Sequence, residues 1–213
     1  MQTPLVYRHL PAQISSPENP TLVMLHGRGS DENDLFGLAN QFDKRLTIYS
    51  LRAPFEFDFG GFTWFELFDD GTVDDKSFEQ STKAIVQFLY QLKTQQLYLM
   101  GFSMGAIMSY SLALAQPELC NGIICCSGFA PLQLEHQYKL QELLNLHIFA
   151  SHGINDQLIP IASARKTKEL LSQSNANFTY HEYPMAHQIN EKCLLDIKEW
   201  MDQRLKQNSG NPL

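Results

Sequence analysis

Six short apolar runs recur along the chain, at 21–26, 46–51, 97–102, 122–127, 146–151 and 178–183. The first four are apolar at consecutive rather than alternate positions, the pattern of strands covered on both faces. Between the runs, apolar residues fall at spacings of three and four, which predicts helices over 35–44, 77–94, 104–116, 161–174 and 190–206. Strands alternating with helices imply an α/β fold with a mostly parallel central sheet and helices on both faces. Pro160 suits the first turn of a helix and Pro117 follows the end of another, so the loop chemistry agrees.

The same pattern shows no internal repeat and no linker, so residues 1–213 are expected to form one domain. A chain of this length can bury roughly two thirds to three quarters of its unfolded surface without staples. The ends, about 1–20 and 207–213, are expected to be less ordered. Within them, 11–20 and 208–213 are rich in Pro, Ser, Asn and Gly.

Composition narrows the function. With 44% hydrophobic and 18% charged residues the chain is of ordinary globular type. Its 23 acidic against 16 basic residues, with no Lys/Arg cluster, argue against a nucleic-acid partner. No basic leader precedes an apolar stretch and no window is apolar enough to span a bilayer, so a cytoplasmic protein without membrane insertion is expected. Cys120, Cys125, Cys126 and Cys193 include no C-x-x-C pair and no zinc-like spacing, and read as buried free thiols.

Candidate chemistry begins at Gly101-Phe102-Ser103-Met104-Gly105, a G-x-S-x-G match. A nucleophilic serine on a sharp strand-to-helix turn needs small residues two positions either side, so that the two elements can approach. The run Leu97-Tyr98-Leu99-Met100 precedes the motif and a Pro- and Gly-free helical stretch, 106–115, follows it. Ser103 then sits at a helix N-terminus, where free N–H groups favour a developing oxyanion.

A base and an acid should follow on later loops in the order Ser, Asp or Glu, His. Asp156 is the only aspartate between Ser103 and the last histidine, and it lies just after an expected strand. Two histidines come later: His181 falls inside the run 178–183, whereas His187 follows Pro184 in a loop, which favours His187 as base. One oxyanion donor is the N–H of Met104, and the second is expected from Arg28 in the glycine-containing loop Leu25-His26-Gly27-Arg28-Gly29-Ser30. The aromatic crowd from Phe55 to Phe68 falls where a loop would meet the site, and Trp64, Phe65 and Phe62 are the expected substrate-binding residues.

Together, the run Leu25-His26-Gly27-Arg28-Gly29-Ser30-Asp31-Glu32-Asn33-Asp34-Leu35, the Ser103 elbow, His152-Gly153-Ile154-Asn155-Asp156-Gln157-Leu158-Ile159-Pro160 and Ala186-His187 resemble the phospholipase/carboxylesterase family. The resemblance runs from about 21 to 200. It implies a minimal α/β-hydrolase core without a large cap domain, Ser103, Asp156 and His187 as a triad, backbone donors at Arg28 and Met104, and no metal or organic cofactor. It also implies a small-molecule ester or thioester substrate, and leaves room for a homodimer. Many family members have Gln at the position of Met104 and Gly at those of Ala106 and Ala186. The reading is a carboxylesterase of soluble esters with short or medium acyl chains. Its alternatives are an acyl-protein thioesterase or lysophospholipase, and a non-catalytic ligand-binding homologue.

Overall fold

The computed structural model describes residues 5–14, 19–68 and 72–208. Seven strands form one sheet in the order β1-β3-β2-β6-β7-β8-β9. These are β1 Tyr7–Leu10, β2 Thr21–Leu25, β3 Thr47–Leu51, β6 Leu97–Phe102, β7 Gly122–Cys126, β8 His147–Gly153 and β9 Asn177–Tyr183, while a small separate hairpin joins β4 Phe55–Glu56 to β5 Phe62–Thr63. All pairings in the large sheet are parallel except that of β1 with β3.

Period-two alternation divides the strands between two cores. Val23, Leu25, Leu99, Ile123, Cys125 and Ile148 pack with helices α1 (Asp75–Gln91), α2 (Met104–Ala115) and α3 (Ile161–Ser172). Leu22, Met24, Tyr98, Met100, Ile124, Cys126 and Phe149 pack on the opposite face with α4 (Glu191–Asn208) and a short turn of helix at Leu35–Gln41. Helix α2 is buried along nearly its whole length, which is why its sequence is apolar all round rather than striped. All four cysteines are buried and free.

Two expectations give way. The helix over 35–44 is a 3-10 turn ending at Gln41, because Gly37 and Asn40 lower helix propensity in a segment too short to offset them. The weakly ordered stretch before residue 21 contains a strand, β1, whose residues are largely exposed and pair only with β3. Its anchor is aromatic: Tyr7 meets Tyr49 and Phe88 edge-on, and His9 stacks on Tyr49 at 4.4 Å. The parts of the expected weak segments at 1–4, 15–18 and 209–213 lie outside the described residues. Among the described residues no helix is long and apolar enough to cross a membrane, and no segment between strands is long enough to form a separate cap.

Candidate active site

The C-terminal ends of β2, β6, β8 and β9 meet at one edge of the sheet, where ligands collect in open α/β folds. A cavity of ≈ 890 Å³ opens there, lined at its base by Gly27, Arg28, Ser103, Met104 and His187.

Ser103 joins β6 to α2 with φ 54° and ψ -117°, a conformation that L-residues rarely adopt. The strain is held by its surroundings. The Ser103 N–H donates to the Cys126 carbonyl at 2.9 Å, and its own carbonyl accepts from Ala106 and Ile107. A Cβ on Gly101 would strike the Gly105 carbonyl, and one on Gly105 would strike the Leu25 carbonyl. Both glycines are therefore dictated by close backbone approach at the elbow. Met104 opens α2, so its N–H belongs to the first turn, where backbone donors lack helical partners.

Asp156 and His187 are brought together by two loops that zip along each other. Ile154 N–H donates to Tyr183 C=O, and Asn155 N–H to Met185 C=O. The Asp156 side chain is buried; its Oδ1 accepts the N–H groups of Leu158 and Ile159, each at 2.9 Å, and its Oδ2 lies 2.7 Å from His187 Nδ1. Burial alone would raise the carboxyl's pKa, but the N–H of Ile159, the bond from His187 and the N–H of Leu158 outweigh it and hold it below the ordinary range. An ionised carboxylate at Nδ1 fixes the His187 tautomer with its proton there and leaves Nε2 as an acceptor on the cavity side. The Phe102 ring, 4.9 Å from the imidazole, backs it.

The loop after β2 is fixed by the buried His26. Its Nδ1–H donates to the Gly27 carbonyl at 2.7 Å, and its Nε2 accepts the Ala53 N–H at 3.0 Å. Burial lowers the pKa of His26, against the opposing bond to Gly27, in keeping with this neutral arrangement. The Gly27 carbonyl also accepts the Ser30 N–H. Because the peptide is trans and planar, fixing that carbonyl aims the Arg28 N–H the opposite way. Farther out, Gly29 and Ser30 pair with the Phe62 backbone, and buried Glu32 takes a bidentate bond from Arg52 at 2.6 and 2.7 Å. The Arg28 guanidinium lies over the Phe57 ring, 4.4 Å from its centroid.

The walls are mostly apolar, with Thr72, Asp75 and Gln133 the polar exceptions. Phe57, Phe65, Leu67, Val73 and Phe78 come from one side of the chain, and Ile107, Phe129, Pro131 and Leu134 from another. Of the three expected substrate-binding aromatics, only Phe65 lines the cavity. Trp64 is fully buried, its Nε1 donating to the His26 carbonyl at 2.9 Å. Phe62 lies beneath the Arg52 guanidinium at 4.5 Å and acts through its backbone. His181 packs on β9 against Phe149 and Tyr183, away from the cavity.

Leu158 and Ile159 also line the site and escaped the sequence reading. The sequence did offer a signal, two aliphatic residues two and three positions after Asp156 in an expected loop, and the structure leaves Leu158 75% exposed. Among the described residues no cluster of three or more His, Cys, Asp or Glu side chains could hold a metal ion.

Comparison with known proteins agrees with this architecture. The sequence model of the Phospholipase/Carboxylesterase family matches residues 12–205. The chain is 23% identical to acyl-protein thioesterase 1 of Debaryomyces hansenii, over 92% of this chain and 95% of that protein. It is 26% identical to lysophospholipase-like protein 1 of Mus musculus, over 92% and 93% respectively. The crystal structure of the Bacillus cereus carboxylesterase superposes with a TM-score of 0.82 at 25% identity, covering 93% of this chain and 94% of that one. The seven-stranded sheet is thus an α/β-hydrolase core without a large cap, and the chain belongs to the phospholipase/carboxylesterase family of hydrolases, among whose members are carboxylesterases and acyl-protein thioesterases.

Proposed function

We propose that the protein is a serine carboxylesterase acting on soluble esters of short or medium acyl chain through an acyl-Ser103 intermediate. Ser103 Oγ attacks the ester carbonyl while His187 Nε2 takes its proton. Asp156 holds the His187 tautomer and stabilises the imidazolium. The negative charge that develops on the carbonyl oxygen is received by the N–H groups of Arg28 and Met104. His187 then returns the proton to the leaving alkoxide, and a water molecule, deprotonated by the same imidazole, releases the acid.

The observation that carries this reading is the 2.7 Å bond between Asp156 and His187, behind a cavity that His187 and the strained Ser103 both line. Apolar walls around ≈ 890 Å³ suit an acyl chain together with its alcohol. Each buried methylene contributes ~0.8 kcal/mol, so kcat/KM should rise by up to about fourfold per carbon until the chain outgrows the walls.

Two measurements test the reading. Fluorophosphonate treatment followed by peptide mass spectrometry should give a single adduct, on the Ser103 peptide; labelling elsewhere refutes the assignment. A series of 4-nitrophenyl esters from acetate to palmitate, with matched thioesters, should peak between butyrate and octanoate. If kcat/KM keeps climbing through palmitate, or thioesters lead at every length, the acyl-protein thioesterase reading replaces this one.

A further inference from the structure

A second histidine, on the strand that leads into the acid loop, has no part in the proposed chemistry. His152, on β8, is fully buried. Its Nε2 lies 2.8 Å from the Ile159 carbonyl and 3.3 Å from Asp156 Oδ2, the same carboxylate oxygen that meets His187. Its Nδ1 has no hydrogen-bond partner among the described residues. Two oxygen acceptors beside Nε2 require the proton there, so the ring is an Nε2–H donor with a bare lone pair behind it.

The geometry closes a small circuit. Ile159 receives the His152 proton on its carbonyl and gives its own N–H to Asp156 Oδ1. His152, at the end of a strand paired on both sides, therefore fixes the far end of the turn that wraps Asp156. It also brings the positive end of an N–H dipole close to Oδ2. The titratable groups against this carboxylate are His187, from the loop after β9, and His152 itself.

We infer that His152 is a positioning residue for Asp156: it sets the turn that holds the carboxylate and moderates how strongly Oδ2 holds the His187 proton. The inference rests on the reading of Ser103, His187 and Asp156 as the reacting set. Its sign is definite. Removing the donor leaves the carboxylate more basic, so the Asp156–His187 pair keeps a proton to higher pH.

Three variants test this on 4-nitrophenyl butyrate, with rates normalised to the sites titrated by fluorophosphonate so that partial unfolding cannot mimic the effect. His152→Gln places an amide N–H near the position of Nε2, and kcat should stay within about threefold of the parent. His152→Asn is too short to reach, and His152→Phe keeps the ring without the donor. Both should lose on the order of 10- to 100-fold in kcat, the usual cost of losing a partner that orients a reacting group, with KM nearly unchanged. In both, the acidic limb of the kcat/KM profile should move to higher pH, and in His152→Gln it should stay. Equal behaviour of the Gln and Asn variants, or an unmoved limb in Asn and Phe, overturns the inference while leaving the esterase reading intact. A parent protein with neither label on Ser103 nor ester turnover overturns both.

Discussion

On the floor of the cavity Ser103 and the Gly27–Arg28 peptide, and behind His187 the buried Asp156, are each fixed by hydrogen bonds from neighbouring groups. The walls, formed by Phe57, Phe65, Leu67 and Phe78 and by Phe129 and Leu134, meet the cavity through rings and aliphatic groups. Hydrogen bonds constrain direction as well as distance, whereas dispersion contacts tolerate sliding and exchange of one apolar group for another. The floor should therefore govern whether the reaction occurs, and the walls which acyl chain it accepts.

The sharpest way to break this division is at the floor. Ser103→Ala and His187→Ala should each lower kcat by at least ~10³, with KM changed far less, because groups that act together lose most of their effect when one is removed. His181→Ala should stay within about tenfold, since His181 packs against Phe149 rather than the cavity. Steady-state kinetics on one soluble ester decides it. If His181→Ala costs more than His187→Ala, the base has been misassigned.

A smaller effect should follow at the walls. Phe65→Ala and Leu134→Ala remove apolar surface that an acyl chain would touch. They should lower kcat/KM for hexanoyl or octanoyl esters by roughly tenfold, or about 1.4 kcal/mol, and leave acetate within threefold. A ratio of hexanoyl to acetyl ester turnover that is unchanged in both variants would remove these side chains from the acyl site.

Floor and walls also differ in how far the sequence revealed them. Ser103, Asp156 and His187 stand at the ends of strands or in the loops directly after them, where apolar runs give the register, and the structure sets Asp156 against His187. The 55–68 segment has seven aromatic residues but little regular structure beyond the short hairpin, so no period tells which rings face inward. Phe65 lines the cavity while its neighbour Trp64 turns into the core. Strand β1 was hidden for a related reason: Tyr7-Arg8-His9-Leu10 lies at an edge and is mostly exposed, so it shows neither a buried run nor a clean alternation. His152 was visible as a residue, but its bond to Ile159 depends on how the turn closes, which spacing does not encode.

Acid should distinguish the two regions as well, because the floor and its support hold buried titratable groups while the walls are mostly rings and aliphatic side chains. Burial lowers the pKa of His26, so the unfolded chain binds a proton that the folded chain does not. The stability this group contributes is full above about pH 6.5 and declines as pH falls toward its lowered folded value. His147, partly buried at the start of β8, is lowered in the same way and adds to that window. The carboxyl of Asp156 is lowered too, so its contribution is present above an ordinary value of about 3.9 and is lost only in stronger acid. Thermal unfolding followed from pH 8 to pH 3 should show the two declines in that order. His26→Asn should weaken the upper one, whereas Phe65→Ala should leave both in place.

The smallest effect on turnover is expected at Trp64, which separates a wall residue from its sequence neighbour. Trp64→Phe keeps an aromatic ring in the core but removes the Nε1–H that satisfies the buried His26 carbonyl. A buried acceptor left without its donor costs about 1–3 kcal/mol, so the melting temperature should fall by several degrees in a chain of this size. The bonds from His26 to Gly27 and Ala53 remain, so the Arg28 N–H keeps its direction and kcat on a soluble ester should stay within about threefold. The acyl-length profile should coincide with that of the parent protein, in contrast to Phe65→Ala one residue away. If Trp64→Phe instead shifts the profile toward shorter chains without changing the melting temperature, the ring at 64 belongs to the acyl wall and the boundary between floor and wall has been drawn in the wrong place.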